Sequence, residues 1–320
     1  MDKKGRAERV TQWQPETAIV IAGPTASGKS AAALAVAQAL GGEIINADAL
    51  QLYRDLRILS ARPSAADEAL APHHLYGVLG ADEASSAGDW ARRAALLADQ
   101  CRSRGAPPIL VGGTGLYLKA LLEGLSPIPD ADTPGVLEAR AEAERLWDRL
   151  GPDGFHAEVA RRDPPMARLE PGDRQRLIRA YEVFEATGRP LSDYQAAPAQ
   201  PLLKGPVVTV MITPAREAVY QAIDARVEAM ARAGAAAEAA ALMELKPPSS
   251  APILKAVGVA EFAAVVEGRM SEADAVAATQ TRTRRYAKRQ FTWLRGQTPD
   301  WPSAEHWEAA VAHILRAVCA

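Results

Sequence analysis

A phosphate chain is held by several backbone N–H groups converging on one concavity. The stretch Gly23, Pro24, Thr25, Ala26, Ser27, Gly28, Lys29, Ser30 has the residues for that task. It fits G-x-x-x-x-G-K-[ST] at every fixed position, the pattern of a P-loop. The outer glycines let the loop curl without a Cβ clash, and the helix that follows aims its positive end at the anion. Lys29 brings a point charge, and the Ser30 hydroxyl is placed to touch a phosphate-bound Mg²⁺. A chance match in a Gly/Ala-rich chain is the bland alternative. Against it stands the context: an apolar strand, Ala18 to Ile21, precedes the loop and a helix over Lys29 to Leu40 follows.

Other residues able to do chemistry lie in three places. Asp48 follows the second strand, Glu43-Ile44-Ile45, and should face the cargo of the P-loop; a helix cap is the alternative role. Thr114 follows Gly112-Gly113 after the strand Pro108 to Val111, where glycines bring backbone close to a ligand or merely make a tight turn. Thr279 to Arg295, TQTRTRRYAKRQFTWLR, contains no acid. It places Arg282, Arg285 and Arg289 on one helical face, with Tyr286 and Trp293 interleaved. An amphipathic surface helix is the plain reading; an unneutralised run in a chain of net charge −2 favours an external polyanion or a buried phosphate.

Adjacent His73 and His74 on an extended segment point to opposite sides and read as core or surface residues, not ligands. The two cysteines, Cys101 and Cys319, form no C-x-x-C and have no histidine at zinc spacing, which argues against a thiolate metal site or a disulfide framework. A reduced, cytoplasmic protein follows. No apolar run reaches membrane-spanning length, and the polar start carries no signal core.

The elements that position these residues alternate strand, helix, strand. They predict an α/β fold with a P-loop NTPase-like parallel sheet flanked by helices, ligands gathering at the C-terminal strand ends. A helix over Asp89 to Arg104 carries Trp90, Ala94, Leu97 and Cys101 at helical spacing. From Ser126 the composition changes. A loop to Pro134, a charged helix over Val136 to Leu150, the segment Phe155 to Arg161 and a helix over Asp173 to Thr187 read as a helical insertion. The expected organisation is a tail over 1–17, a catalytic core over 18–125 and 207–320, and a helical insertion domain over 126–206. The strand Val207 to Ile212 rejoins the sheet, and helices run over Arg216 to Ala233 and Ala235 to Leu245. The strand ILVGG ends in glycine where most nucleotide-cleaving P-loop enzymes have an Mg²⁺-holding Asp. That leaves a small-molecule kinase with Asp48 as base among the open readings.

GPTASGKS, then IINADALQLY (Ile44 to Tyr53), LVGGTGLYLKALLEGLSP (Leu110 to Pro127), DRQRLIRAYEVFEATGRPLS (Asp173 to Ser192) and TRRYAKRQFTWLR (Thr283 to Arg295) resemble, in order, the successive motifs of the tRNA dimethylallyltransferase family. The resemblance spans about Ala18 to Arg295. It implies transfer of a dimethylallyl group from dimethylallyl diphosphate to N6 of adenine 37, beside the anticodon of tRNAs reading codons that begin with U. The P-loop would hold the diphosphate leaving group rather than a nucleotide, with Mg²⁺ on Ser30. Lys29 and Thr114 would join Asp48 in the catalytic group, Asp48 accepting the amine proton. Arg216 is expected on the diphosphate. Contacts to tRNA are implied for Asp48, Leu50, Gln51, Thr114, Gln175, Arg176, Leu177, Ile178, Arg179, Lys255 and Gly258, the insertion gripping the anticodon stem. The implied protein is a cytoplasmic monomer without a membrane partner. A tRNA-binding relative with lost chemistry is the further alternative, because Ala49 replaces a family Ser, Ala222 stands where the family has a second arginine, and Val259 replaces a Tyr. Arg226, one turn beyond Ala222, is the basic side chain available to take that arginine's place.

Overall fold

The computed structural model describes residues 16–129 and 133–319, so the expected N-terminal tail lies outside the described residues up to position 15. The strands are β1 (Ala18–Ala22), β2 (Glu43–Asn46), β3 (His73–His74), β4 (Pro108–Gly112), β5 (Val207–Ile212) and β6 (Ser303–Ala304). The helices are α1 (Lys29–Leu40), α2 (Ala65–Leu70), α3 (Ala87–Ser103), α4 (Gly115–Leu122), α5 (Pro134–Arg162), α6 (Arg174–Thr187), α7 (Leu191–Gln195), α8 (Arg216–Arg232), α9 (Ala235–Glu244), α10 (Val259–Val266), α11 (Glu272–Gln297) and α12 (Trp307–Val318). They form two compact units, one running to Leu118 and resuming at Leu203, the other Lys119–Leu202.

The first unit holds a six-stranded sheet in the order β3-β2-β4-β1-β5-β6, every pairing parallel. Strands buried on both faces must be apolar throughout, and β1 and β4, AIVIA and PILVG, are. Ile19, Ile21, Ile109 and Val111 pack on Ala32, Ala33 and Val36 of α1 and on Ile314 and Val318 of α12. Small side chains at the core positions Ala32, Ala33 and Ala37 let α1 lie close to the sheet. Left-handed Gly41, φ 69°, ends that helix by donating its N–H to the Ala37 carbonyl.

Register sets the site. Ala22 pairs with Gly112 and Asn46 with Val111, so β1, β4 and β2 end level with one another. The loops leaving them are therefore neighbours at one sheet edge. Gly112 is required by that closeness: a Cβ there would stand 2.1 Å from the Ala47 carbonyl oxygen. The glycines after β4 thus serve a backbone-to-backbone approach that carries Asp48 into position.

At the opposite end of β2, Glu43 accepts from Arg104 at 2.9 and 2.7 Å, with His74 Nε2 2.6 Å and Cys101 Sγ 3.5 Å from the carboxylate. The sequence gives no histidine partner for Cys101; the fold supplies one across the sheet. The Arg104 guanidinium, then His74, hold the Glu43 carboxyl down at about 2, while burial and that carboxylate push the Cys101 thiol up to about 12. Glu43, His74 and Cys101 thus bring their ligand atoms within 4.8 Å of one another, with the carboxylate engaged by Arg104.

In the second unit α5 runs on through Gly151, where φ 69° and ψ 175° kink it ahead of Pro152. The helix expected over Val136 to Leu150 and the segment Phe155 to Arg161 both lie in this bent element. Phe155, Val159, Leu177, Tyr181 and Val183 form the core with Trp147 against them. Glu182, 1% exposed, is bound by Arg140 at 2.7 and 3.0 Å and by Arg179 at 2.6 Å.

Candidate active site

The P-loop leaves β1 and curls through Ala26, φ 62°, and Gly28, φ 88°, into α1. Left-handed turns at these two positions bring the amides ahead of the helix to one side. Thr25, Ala26, Ser27, Gly28, Lys29 and Ser30 line a cavity of about 160 Å³, while Gly23 and Pro24 are buried behind it. The Pro24 carbonyl accepts from Lys29 Nζ at 3.1 Å, which parks the ammonium over the loop.

Asp48 lines the same cavity. Asn46, fully buried, fixes it there: Asn46 Oδ1 accepts the Asp48 N–H at 2.8 Å, and Nδ2 donates to the Asp48 carbonyl at 2.9 Å. Asp48 Oδ1 accepts the Leu50 N–H at 3.0 Å, which begins a short 3₁₀ turn, Leu50–Leu52. The other carboxylate oxygen carries no hydrogen bond among the described residues and is left for the cavity. The Thr114 hydroxyl accepts the Ala49 N–H at 3.1 Å and lies beside the Tyr286 phenol. It braces the Asp48 turn as an acceptor, and its O–H remains a donor.

Arg226 of α8 is the cavity's second cation. Its Nη2 donates to Thr25 Oγ1 at 2.6 Å, and its buried Nε has no hydrogen-bond partner among the described residues. Arg216, expected on the diphosphate, is exposed at the start of α8 and outside the cavity lining, and Ala222 is exposed as well. The arginine the pocket uses is thus one turn further along. Gln290, 5% exposed within the basic motif, was missed. Its Oε1 accepts the Thr25 N–H at 2.8 Å and its Nε2 donates to the Gly113 carbonyl at 3.0 Å, tying the P-loop to the turn after β4.

Burial pulls the Lys29 ammonium down to about 8, against the attraction of Asp48 and with the repulsion of Arg226. Burial and the Asp48 charge push the Tyr76 and Tyr286 phenols upward, so both stay protonated. An anion in this cavity prefers the charged lysine. Inorganic diphosphate is therefore expected to bind progressively more weakly as pH rises through about 8, by up to ~tenfold per pH unit for one proton. Calorimetric titration between pH 7 and 9.5 checks this; a flat affinity would contradict it.

A second cavity adjoins this one, lined by Leu59, Val227, Met230, Val257 and Thr279 and sharing Thr25, Asp48 and Arg226 with it. A third, of about 370 Å³, shares Leu50, Val257 and Tyr286 with the second and is lined by Lys255, Arg282, Arg285 and Arg289. The basic run is partly neutralised after all: Arg282 pairs with Glu261 and Arg284 with Asp224, acids from α10 and α8 that no local reading of the run includes. Arg285, Lys288 and Arg289 make no ion pair with described residues, and Arg289 lies over the Tyr286 ring. Lys255 is exposed at the third cavity. Gly258, also expected at the RNA, is buried, its left-handed φ of 100° and the nearby Leu59 side chain leaving no room for a Cβ.

In the second unit Gln175 and Arg176 are exposed, whereas Leu177 and Ile178 sit in its core. Their side chains hold α6 in place. Arg179 reaches Glu182 and the Pro129 carbonyl.

Fold and site define a P-loop α/β protein in which two cations, Lys29 and Arg226, share one cavity with a single carboxylate, Asp48. Residues 51–297 match the model of the IPP transferase family, and 16–73 that of isopentenyl transferase. The chain is 52% identical over 281 residues to the tRNA dimethylallyltransferase of Rhodospirillum rubrum, covering 87% of this chain and 85% of that protein. It is 48% identical over 284 residues to that of Phenylobacterium zucineum, covering 88% and 91%. Among solved structures, the tRNA isopentenylpyrophosphate transferase of Bacillus halodurans superposes with a TM-score of 0.66 at 28% identity over 95% of this chain and 96% of that one. A eukaryotic dimethylallyltransferase acting on tRNA gives 0.71 at 26%, over 87% and 70%. This chain belongs to the IPP transferase family. No helix among its described residues is long and apolar enough to cross a membrane.

Proposed function

We propose that the chain is a cytoplasmic, monomeric enzyme that moves a dimethylallyl group from dimethylallyl diphosphate to N6 of adenosine 37 in tRNAs reading codons that begin with U, giving N6-dimethylallyladenosine. One observation carries the reading: Lys29, Arg226 and Asp48 line one cavity, and the cavities that adjoin it end at one lined by Lys255, Arg282, Arg285 and Arg289. Diphosphate fits the two cations, and a single base extruded from an RNA loop fits the approach from that basic cavity.

The bond from allylic carbon to diphosphate oxygen breaks as the bond from N6 to that carbon forms. Negative charge then grows on the diphosphate, where Lys29, Arg226 and the loop amides receive it. The N6 proton passes to the free oxygen of Asp48. The donor set suits Mg²⁺, which takes hard oxygen ligands: the Ser30 hydroxyl would hold it together with diphosphate oxygens and water. Once bound, the ion neutralises leaving-group charge.

Purified protein with dimethylallyl diphosphate, Mg²⁺ and unmodified tRNA is expected to add one dimethylallyl group to a single adenosine, read by nucleoside mass spectrometry. Folded protein that leaves the RNA unchanged would overturn the reading. Phosphate transfer from ATP to a small acceptor without RNA would replace it with a kinase.

A further inference from the structure

Glu238, on α9, is not part of the cavity wall, yet its carboxylate gathers three consecutive backbone N–H groups. Oε1 accepts from Arg57 at 2.6 Å and Ile58 at 2.7 Å, and Oε2 accepts from Leu59 at 2.8 Å. Three amides aimed at one carboxylate fix the path of a loop that has no helix or strand of its own over 57–62. The next two residues of that loop matter to the site. The Ser60 and Ala61 carbonyls accept both Nε2 protons of Gln51, at 2.9 and 3.0 Å, and Leu59, Ser60 and Ala61 line the second cavity together with Asp48.

Two carbonyls on one end of an amide leave no choice of which way it faces, because only the nitrogen can donate to them. Gln51 lines the P-loop cavity, and its Oε1 makes no hydrogen bond with described residues. The wall on this side therefore presents two acceptors, Gln51 Oε1 and the free oxygen of Asp48, and no competing donor from Gln51. Acceptors favour a group with N–H protons and penalise a carbonyl, which would be buried against like lone pairs.

The geometry points to Glu238 as a positioning residue that, through the loop over 57–61, holds the Gln51 amide with its oxygen inward, so that the site selects a 6-amino purine over a 6-oxo purine. The inference rests on the proposed reading of the site as one that admits a tRNA base. It assigns Gln51 a defined job, acceptor to the exocyclic amine, and explains how a loop without regular structure holds that side chain still.

The test is a binding ratio, separate from turnover. Anticodon stem-loops identical except for adenosine or inosine at the acceptor position are titrated in inorganic diphosphate. Wild type is expected to favour adenosine by about tenfold, the value of one good hydrogen bond against a clash of acceptors. Glu238→Ala should lower the ratio several-fold, toward the part that Asp48 alone sets, while leaving diphosphate affinity within about twofold, and Glu238→Gln, which keeps one acceptor oxygen for the loop, should fall between. Gln51→Met, which also gives up the two bonds to the Ser60 and Ala61 carbonyls, should lower the ratio as far, and it carries the test if Glu238→Ala does not fold. A folded Glu238→Ala or Gln51→Met protein with the wild-type ratio would overturn the inference. Wild type that discriminates between the two RNAs yet never prenylates would instead sink the proposed reaction, so the two failures are distinguishable.

Discussion

Asp48→Asn is expected to lower the turnover of prenyl transfer by at least ~10²-fold, the low end for loss of a general base, with diphosphate affinity changed only a few-fold. The substitution is chosen because the structure gives the two carboxylate oxygens different tasks. Oδ1 accepts the Leu50 N–H, and an asparagine oxygen can do the same, so the turn that shapes the wall is kept. The other position becomes an amide nitrogen that cannot take a proton from N6. Asp48→Ala removes both tasks and should be slower still, with weaker RNA binding because the Leu50 turn loses its anchor. Single-turnover kinetics at saturating donor separates these effects. An Asp48→Asn enzyme with normal turnover would show that no proton passes through this carboxylate.

The parts of the site readable from sequence are those whose spacing is local. GPTASGKS and the strand before it carry their own geometry in adjacent residues, and Asp48 is placed by its position just past β2. The illegible parts depend on pairings across long stretches of chain. Gln290 reaches Thr25, Arg226 reaches the same threonine, and Glu238 reaches the loop at 57–59, none of which a local pattern contains. The basic run shows the same limit in reverse: it holds no acid of its own, so it reads as unneutralised, while Glu261 and Asp224 stand opposite in the fold. Leu177 and Ile178 belong to a motif that implies RNA contact, and their apolar character and helical spacing place their side chains in the core of the second unit. Arg216 was favoured by its place in a pattern over Arg226, and only the direction of α8 distinguishes them.

Lys29→Met should reduce turnover by ~10²–10³-fold, the size expected when one preorganised partner of a developing anion is removed. Methionine keeps a chain of similar length across the loop, so the loss is of charge rather than of packing. The more telling consequence concerns pH. In wild type the expected alkaline weakening of diphosphate binding is assigned to a lysine that burial pulls down to about 8, because Tyr76 and Tyr286 are pushed upward and Arg226 stays a cation throughout. Removing Lys29 should therefore lower affinity at pH 7 and flatten its pH dependence up to pH 9.5. The variant's weak binding would then rest on Arg226 and the loop amides, neither of which titrates in that range. A Lys29→Met protein that binds weakly but keeps the alkaline limb would place the titrating group elsewhere in the pocket. One that binds diphosphate as wild type does would mean that the ammonium parked on the Pro24 carbonyl never turns to the ligand.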